Sequence, residues 1–221
     1  MPRRSSAPPG RPRKKAPPPP PSPPPPPYHH GDLRRAVLDE ALALIEELGH
    51  LGFTLREVAR RVGVSHAAPY RHFADKRALL TALAAEAQER LADRIEAALG
   101  AAGADHRARF LAGGRAYVQF AVECPAAFQT MFAAEVDAAD GALAGAKTRS
   151  FGLLLGFLGE AQRAGVFPPG DPVALAKPIW AMHHGLAALA TAGAFAEGGP
   201  GALARIVDDA HGKLFEGLKQ R

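Results

Sequence analysis

Cationic and imidazole side chains crowd one short stretch of this 221-residue chain. Between Thr54 and Arg77 stand Arg56, Arg60, Arg61, Arg71, Lys76 and Arg77, opposed only by Glu57 and Asp75, with His66 and His72 in addition. Guanidinium and ammonium groups at that density hold phosphate oxygens, and a side chain such as arginine can also read base edges in the major groove of DNA. The segment upstream has the opposite character, with Asp39, Glu40, Glu46 and Glu47. Segregated charge of this kind is the footprint of nucleic-acid binding. Taken by itself, the pattern also fits a helical hairpin with ordinary solvated charges.

The elements that must carry these groups follow from TLREVARRVGVSHAAPYRHF, residues 54–73. Thr54 and Glu57 make a capping box, the hydroxyl accepting from a free N–H of the first turn. Leu55, Val58, Ala59 and Val62 fall on one apolar face, and the small Ala59 lets a second helix cross closely. Gly63 stands where the helix must end in a left-handed conformation. Val64 anchors the turn, and Ser65 suits the N-cap of a second helix. Ala67, Ala68 and Pro69 keep that helix start slim, which allows close approach to bases. So near a start, Pro69 costs only about one backbone bond, against roughly 3 kcal/mol in a helix interior. The spacing predicts a helix-turn-helix.

The rest of the chain is predicted to be all-α, since no segment sustains a two-residue alternation of apolar and polar side chains. A first helix from Asp32 or Leu33 to Leu48 has an inner stripe of Val37, Ala41, Leu44 and Leu48 and stops at Gly49. Asp75 caps a helix of about 24 residues, ~36 Å long, carrying Leu79, Leu80, Leu83, Ala87, Leu91, Ile95 and Leu99; it links the two halves as a lever. Further helices are expected over 105–123, from Pro125, over 141–164, from Asp171–Pro172 to 194, and over 201–219. Residues 1–27 contain 14 prolines and six Lys/Arg with no acid, a charge of +6 that leaves the remainder at −1. Such a stretch samples polyproline II and buries no core. It reads as a solvated leader or as a basic arm that tracks phosphates.

Several function classes are disfavoured. The chain has no apolar run of about 18 residues that would span a membrane, and its basic start lacks the apolar core of a secretory signal. A single cysteine, Cys124, excludes an intrachain disulfide and fits a reducing compartment; it reads as a packed apolar residue. A cytoplasmic protein with no membrane partner is expected. G-x-S-x-G, phosphate-loop and H-E-x-x-H patterns are absent, so neither catalysis nor a cofactor is expected. His183 and His184 are adjacent and would point about 100° apart on a helix, which does not suit a shared metal. The pair His29–His30 carries no metal-ligand spacing and is not expected to hold a metal. In the second half, Phe110, Tyr117, Phe128, Met131, Phe132, Phe151, Phe157 and Trp180 make either core or the wall of an apolar ligand cavity. Gln129, Glu160, His183 and His184 are candidates for its polar groups. Gly152, Gly156 and Gly159 in one helix suggest close packing or room for a ligand.

Residues 28–87, and especially YRHFADKRALL, resemble the DNA-binding domain of the TetR family of bacterial transcriptional regulators. Pro69 departs from the pattern, standing where many members carry leucine or valine. KPIWAMHHGLAAL (177–189), with Trp180, His184 and Gly185, is similar to a W…HG type of C-terminal domain found on such regulators; GVFPPGDP and CPAAFQTMF fit it, while Cys124 replaces a histidine common there. The resemblance implies a three-helix head, a helix leading out of it, and a helical regulatory domain that dimerises through its last two helices. It places DNA contacts at Arg56, His66, Ala67, Ala68, Tyr70, Arg71, His72 and Lys76, with Thr54 assisting. Arg71 and His66 are assigned to base edges, and Tyr70, His72 and Lys76 to phosphates. Ligand contacts are assigned to Tyr117, Phe128, Met131, Phe132, Phe151, Trp180 and His184. The expected division is 1–27 tail, 28–76 DNA-binding domain and 77–221 regulatory domain. The expected function is a homodimeric repressor on a palindromic operator, released by a small apolar or amphipathic effector. Two other readings stay open, a non-specific architectural DNA-binding protein and an enzyme using the cavity.

Deleting residues 1–27 should leave the melting temperature nearly unchanged, because no core residue is lost. DNA affinity should fall at low salt only, where the arm's charge is unscreened. A large loss of helical circular dichroism would contradict this boundary.

Overall fold

The computed structural model describes residues 33–199 and 201–219, and no strand occurs among them. Eight α-helices follow one another in these residues: α1 (Leu33–Leu48), α2 (Leu55–Val62), α3 (Lys76–Ala101), α4 (His106–Glu123), α5 (Pro125–Met131), α6 (Gly141–Arg163), α7 (Pro172–Thr191) and α8 (Ala202–Leu218). The expected tail and His29–His30 lie outside the described residues.

Most boundaries are set by side chains the sequence supplies for the purpose. Thr54, Asp75, Asp105, Asp140 and Asp171 each accept a backbone N–H of the first turn that follows. Pro125 and Pro172 open α5 and α7, where a missing N–H costs nothing. Gly63 ends α2 at φ 78°. The Val64 N–H reaches back to the Ala59 carbonyl at 3.0 Å, and the Gly63 N–H to that of Arg60 at 3.2 Å, a Schellman closure.

The expected second helix of the helix-turn-helix does not form as a regular α-helix. Residues 66–68 make a turn, followed by a 3-10 turn over Pro69–Arg71. The cause is Pro69. It has no N–H to give to the Ser65 carbonyl, which is taken by the Ala68 N–H at 2.9 Å instead. The chain then closes tightly through Arg71 N–H to Ala68 and His72 N–H to Pro69. Ser65 makes no side-chain cap for the 3-10 turn, whose N-cap is Ala68.

Three apolar clusters organise the helices. The head core joins Val37, Leu38, Leu44, Phe53, Leu55, Val58 and Phe73 to Leu79, Leu80 and Leu83 of α3. A second core joins Ala87 and Leu91 of α3 to Val118 and Phe120 of α4, Phe128 of α5 and Val207 of α8. A third is aromatic, with Phe110, Phe157, Phe167 and Phe215. Leu48, expected on the inner stripe of α1, is exposed at the helix end, and Ile45 and Leu38 are buried in its place. The glycines of α6 also depart from expectation. A Cβ at Gly152 or Gly156 would meet nothing within 4 Å, and neither residue lines the cavity described below.

The glycine that does permit close approach is Gly114 of α4. A Cβ there would stand 2.0 Å from Nε2 of His211, a fully buried side chain of α8. Both glycines sit in helices, so alanine gains about 1 kcal/mol of propensity at either site. Gly156→Ala should raise stability by up to that amount. Gly114→Ala should lower it by about 1–3 kcal/mol, because overpacking outweighs propensity. Urea denaturation of both variants checks the opposite signs.

Candidate functional site

Two sites emerge, a cationic surface on the head and a cavity in the second half. On the head, α2 and the 3-10 turn stand on buried supports, Val58 and Ala59 below α2 and Pro69 and Phe73 on either side of the turn. Thr54, Arg56, His66, Ala67, Tyr70, Arg71 and His72 are exposed, and Ala68 is half-buried. Tyr70 is 49% exposed, large for an aromatic ring with nothing to bury it.

Ion pairing separates the arginines into two groups. Arg61 is held by Glu47 at 2.6 Å and Glu40 at 3.5 Å, and Arg77 by Asp137 at 3.3 Å. Arg56, Arg60 and Arg71 have no carboxylate partner among the described residues. The acidic face of α1 thus neutralises one arginine of α2 and leaves the outward ones uncompensated. Lys76 differs from its expected role as a free phosphate anchor. It is half-buried, donates to the Leu51 carbonyl, and lies 4.8 Å from the centre of the Phe53 ring.

The cavity, of about 380 Å³, is enclosed by α3, α4, α6 and α7 with Met131 and Phe132 at the end of α5. Of the expected ligand contacts, Tyr117, Met131, Phe132, Phe151 and Trp180 line it. Phe128 does not; it is buried in the second core. His184 does not line it either. Its Nδ1 stands 3.3 Å from the Tyr117 hydroxyl, and its ring stacks on Trp180 at 5.7 Å. Burial pushes the Tyr117 phenol upward, partly offset by a hydrogen bond from Trp180, and burial also lowers His184. Gln129 is exposed, and Glu160 is spent on Arg109 at 2.7 Å.

Sequence reasoning missed the α3 wall, formed by Gln88, Leu91, Ile95 and Leu99, and found Phe151 and Phe157 on α6 but not Lys147, Ser150 and Leu154. The available signal was Gln88, a polar residue on the buried face of an otherwise apolar helix. Cys124, read as a packed apolar residue, is half-buried with its sulfur 3.3 Å from an Arg90 nitrogen.

His183, rather than His184, reaches the cavity wall. It is 8% exposed, and its ring centre lies 4.7 Å from that of His211. The His211 Nδ1–H donates to the Val207 carbonyl at 2.6 Å, and Nε2 of both rings has no partner. Desolvation, then repulsion from His211, lowers His183 to about 3. Burial lowers His211 too, against the opposing Val207 bond. The pair is neutral at pH 7.

With this geometry in place, comparison with known proteins assigns the class. Residues 37–83 match the model of bacterial regulatory proteins of the tetR family, and residues 110–210 match the tetracyclin repressor-like C-terminal domain. A solved protein of unknown function from Rhodococcus sp. RHA1 is 39% identical with a TM-score of 0.77, covering 88% of this chain and 100% of that one. The class C tetracycline repressor of Escherichia coli is 51% identical over 51 residues, which is 23% of this chain and 23% of that relative's length. The regulator AibR, solved with isovaleryl coenzyme A and operator DNA, is 20% identical with a TM-score of 0.63, covering 82% of this chain and 97% of that one, and shares the fold. The family and the fold are those of transcription regulators. The chain belongs to the TetR family.

The buried histidines set a pH dependence. The folded value for His183 lies below the ordinary 6.5, so between about 3 and 6.5 the unfolded chain binds more protons. The neutral pair is accommodated without loss above pH 6.5, and stability falls as pH drops below it, by about 1.4 kcal/mol per pH unit for one such group. Melting temperature should fall between pH 7.5 and 5.5, and His183→Leu should make that fall shallower. A wild-type protein with an unchanged melting temperature would contradict neutral burial.

Proposed function

We propose that this chain is a sequence-specific DNA-binding repressor that acts as a homodimer and leaves its operator when a small apolar or amphipathic molecule enters the cavity. Residues 28–76 are the reading half and residues 77–221 the regulatory half. The observation that carries this reading is the surface of α2 and the following turn. Exposed Arg56 and Arg60 of α2 and Arg71 of the following turn, without carboxylate partners among the described residues, stand with His66, Tyr70 and His72 on elements with buried supports. Arg71 and His66 read base edges, and Ala67 and Ala68 permit their close approach. Arg56, Tyr70 and His72 hold phosphates with Thr54 assisting. Lys76 fixes the Leu51–Phe53 segment and gives its remaining N–H donors to phosphate.

Dimerisation through α7 and α8 is supported by Leu189, 51% exposed on α7. A two-fold dimer presents its reading turns to half-sites about 34–36 Å apart. Because α3 begins in the head and lines the cavity, a ligand that shifts it changes that spacing. AibR, solved with both a ligand and operator DNA, is a fold relative in keeping with this reading.

The test begins by selecting a binding site from random duplexes. Gel-shift titrations should give one enriched palindrome; equal affinity for all sequences would favour a non-specific architectural protein instead. Arg71→Ala should weaken the selected site by about 1–3 kcal/mol, the size of a bidentate base contact, and relax its specificity. Lys76→Ala should weaken all sequences alike, reduce the salt slope by about 1, and lower the melting temperature. An Arg71→Ala variant with an unchanged ratio of selected to random affinity would remove the base-reading assignment.

A further inference from the structure

The wall of the cavity changes character along its length. α3 and α6 run side by side in the same direction, with Ala84 and Ala85 packed on Leu143, and Gln88 on Ser150 further along. At the end nearer the head, the cavity is lined by Gln88, Lys147 and Ser150. Further along α3, Leu91, Ile95 and Leu99 line it.

The polar end is rich in donors. Gln88 is 6% exposed, and its Oε1 accepts from the Ser150 hydroxyl at 2.9 Å. Its NH2 group has no partner among the described residues. Lys147, one turn before Ser150 on α6, has no carboxylate within ion-pair distance among the described residues. Arg109, the other cation on the wall, is already paired with Glu160. No acidic side chain lines the cavity among the described residues. One positive charge is therefore uncompensated beside a buried amide donor.

Three kinds of head group can be weighed against this end. An amine would bring a second cation beside Lys147, where like charges repel. An alcohol would use Gln88 and Ser150 and leave Lys147 unpaired. A carboxylate accepts from the Gln88 NH2 group and from Lys147, while the Ser150 hydroxyl stays donated to Gln88 Oε1, and its bond to a charged donor is the stronger kind. Size follows from the volume of about 380 Å³. At roughly 30 Å³ per heavy atom, the share water takes in the liquid, about a dozen non-hydrogen atoms fit. The α3 wall from Gln88 to Leu99 rises by about 16 Å, which suits an extended body.

We infer that the cavity takes an apolar monocarboxylate of about a dozen heavy atoms, its carboxylate held by Lys147 and the Gln88 NH2 group, which the Ser150 hydroxyl orients, and its hydrocarbon body along Leu91, Ile95 and Leu99. This rests on the reading of the second half as a ligand-sensing domain and names the ligand class that domain takes. The head group enters at the seam of α3 and α6, where the Ser150–Gln88 hydrogen bond joins them.

Decanoate, decanol and decylamine are suitable probes, titrated separately into the full chain at pH 7.5 and followed by calorimetry and by emission of Trp180, the only tryptophan and a cavity residue. Decanoate should bind at least about tenfold more tightly than decanol, with decylamine weakest. Lys147→Met should reduce decanoate to about the affinity of decanol and leave decanol unchanged, while Lys147→Arg retains the preference. Lys147 is only half-buried, so neither change should alter the fold, and circular dichroism checks this. Decanol or decylamine binding as tightly as decanoate would overturn the inference. So would an unchanged decanoate affinity in Lys147→Met, or no binding of any probe. These measurements contain no DNA, so their failure leaves the gel-shift result standing, and a chain that binds decanoate but no DNA would instead remove the repressor reading.

Discussion

Burial of two stretches of one helix in two different cores is the constraint on which the arrangement depends. Leu79, Leu80 and Leu83 fix the start of α3 in the head, while Ala87 and Leu91 fix it in the second core. No proline interrupts its 26 residues, and its single glycine, Gly100, lies in the last turn. It therefore behaves as a rod of about 39 Å. Charge ties hold it laterally. Glu86 takes Arg35 of α1 at 2.8 Å, and Glu89, Asp93 and Glu96 converge on Arg149 of α6, each at 2.7 Å. These pairs are at least partly exposed and add geometry more than stability. Close-packed cores do not deform gradually, so a displacement of the rod at one core must be met by a discrete adjustment at the other.

Pro69 shows how a single residue alters a surface without altering its chemistry. The missing N–H breaks the hydrogen-bond ladder of a regular helix, and the segment collapses into tighter turns. Yet the supports beneath it are intact, with Pro69 itself and Phe73 buried. The side chains that could meet DNA are still exposed. What changes is their angular spacing, since a 3-10 turn advances about 120° per residue rather than 100°. In the proposed DNA-reading role, that spacing is where this head would differ from one built on a regular helix.

Much of this was legible in the sequence because it is local. N-caps at Thr54, Asp75 and Asp171, the stop at Gly63 and the stripe of Leu55, Val58 and Ala59 are decided within one or two turns. The 3-10 turn at Pro69 was not, because proline is tolerated in a first turn and only the taken Ser65 carbonyl shows which outcome holds. The head's cationic residues were legible, but their pairing was not. Arg61 and Arg71 look alike in sequence, and only the fold brings Glu40 and Glu47 to one of them. The cavity was the least legible. Phe128 and Phe132 are one turn apart and equally aromatic, yet the first is buried core and the second is 41% exposed on the cavity wall. Gln88 and Ser150, 62 residues apart, meet through helix packing that no local pattern encodes.

Whether the α3–α6 seam could carry a regulatory signal is a question of magnitude. A coupling of 5–150-fold between effector and DNA corresponds to about 1–3 kcal/mol. A ligand supplies it only through interactions that differ between the two states, since equal affinity for both shifts nothing. A neutral hydrogen bond contributes about 0.5–1.5 kcal/mol net, and one to a charged group about 1.5–3. The apolar body of a ligand buries similar surface wherever α3 sits, so it contributes affinity more than coupling. A head group at Gln88 and Lys147 is different, because those residues belong to the two helices whose relative position is in question. One or two charge-assisted bonds available in a single arrangement of α3 against α6 match the required energy. In the proposed regulator, the polar end of the cavity is thus the part that would turn binding into movement of the rod, and the rod begins in the head.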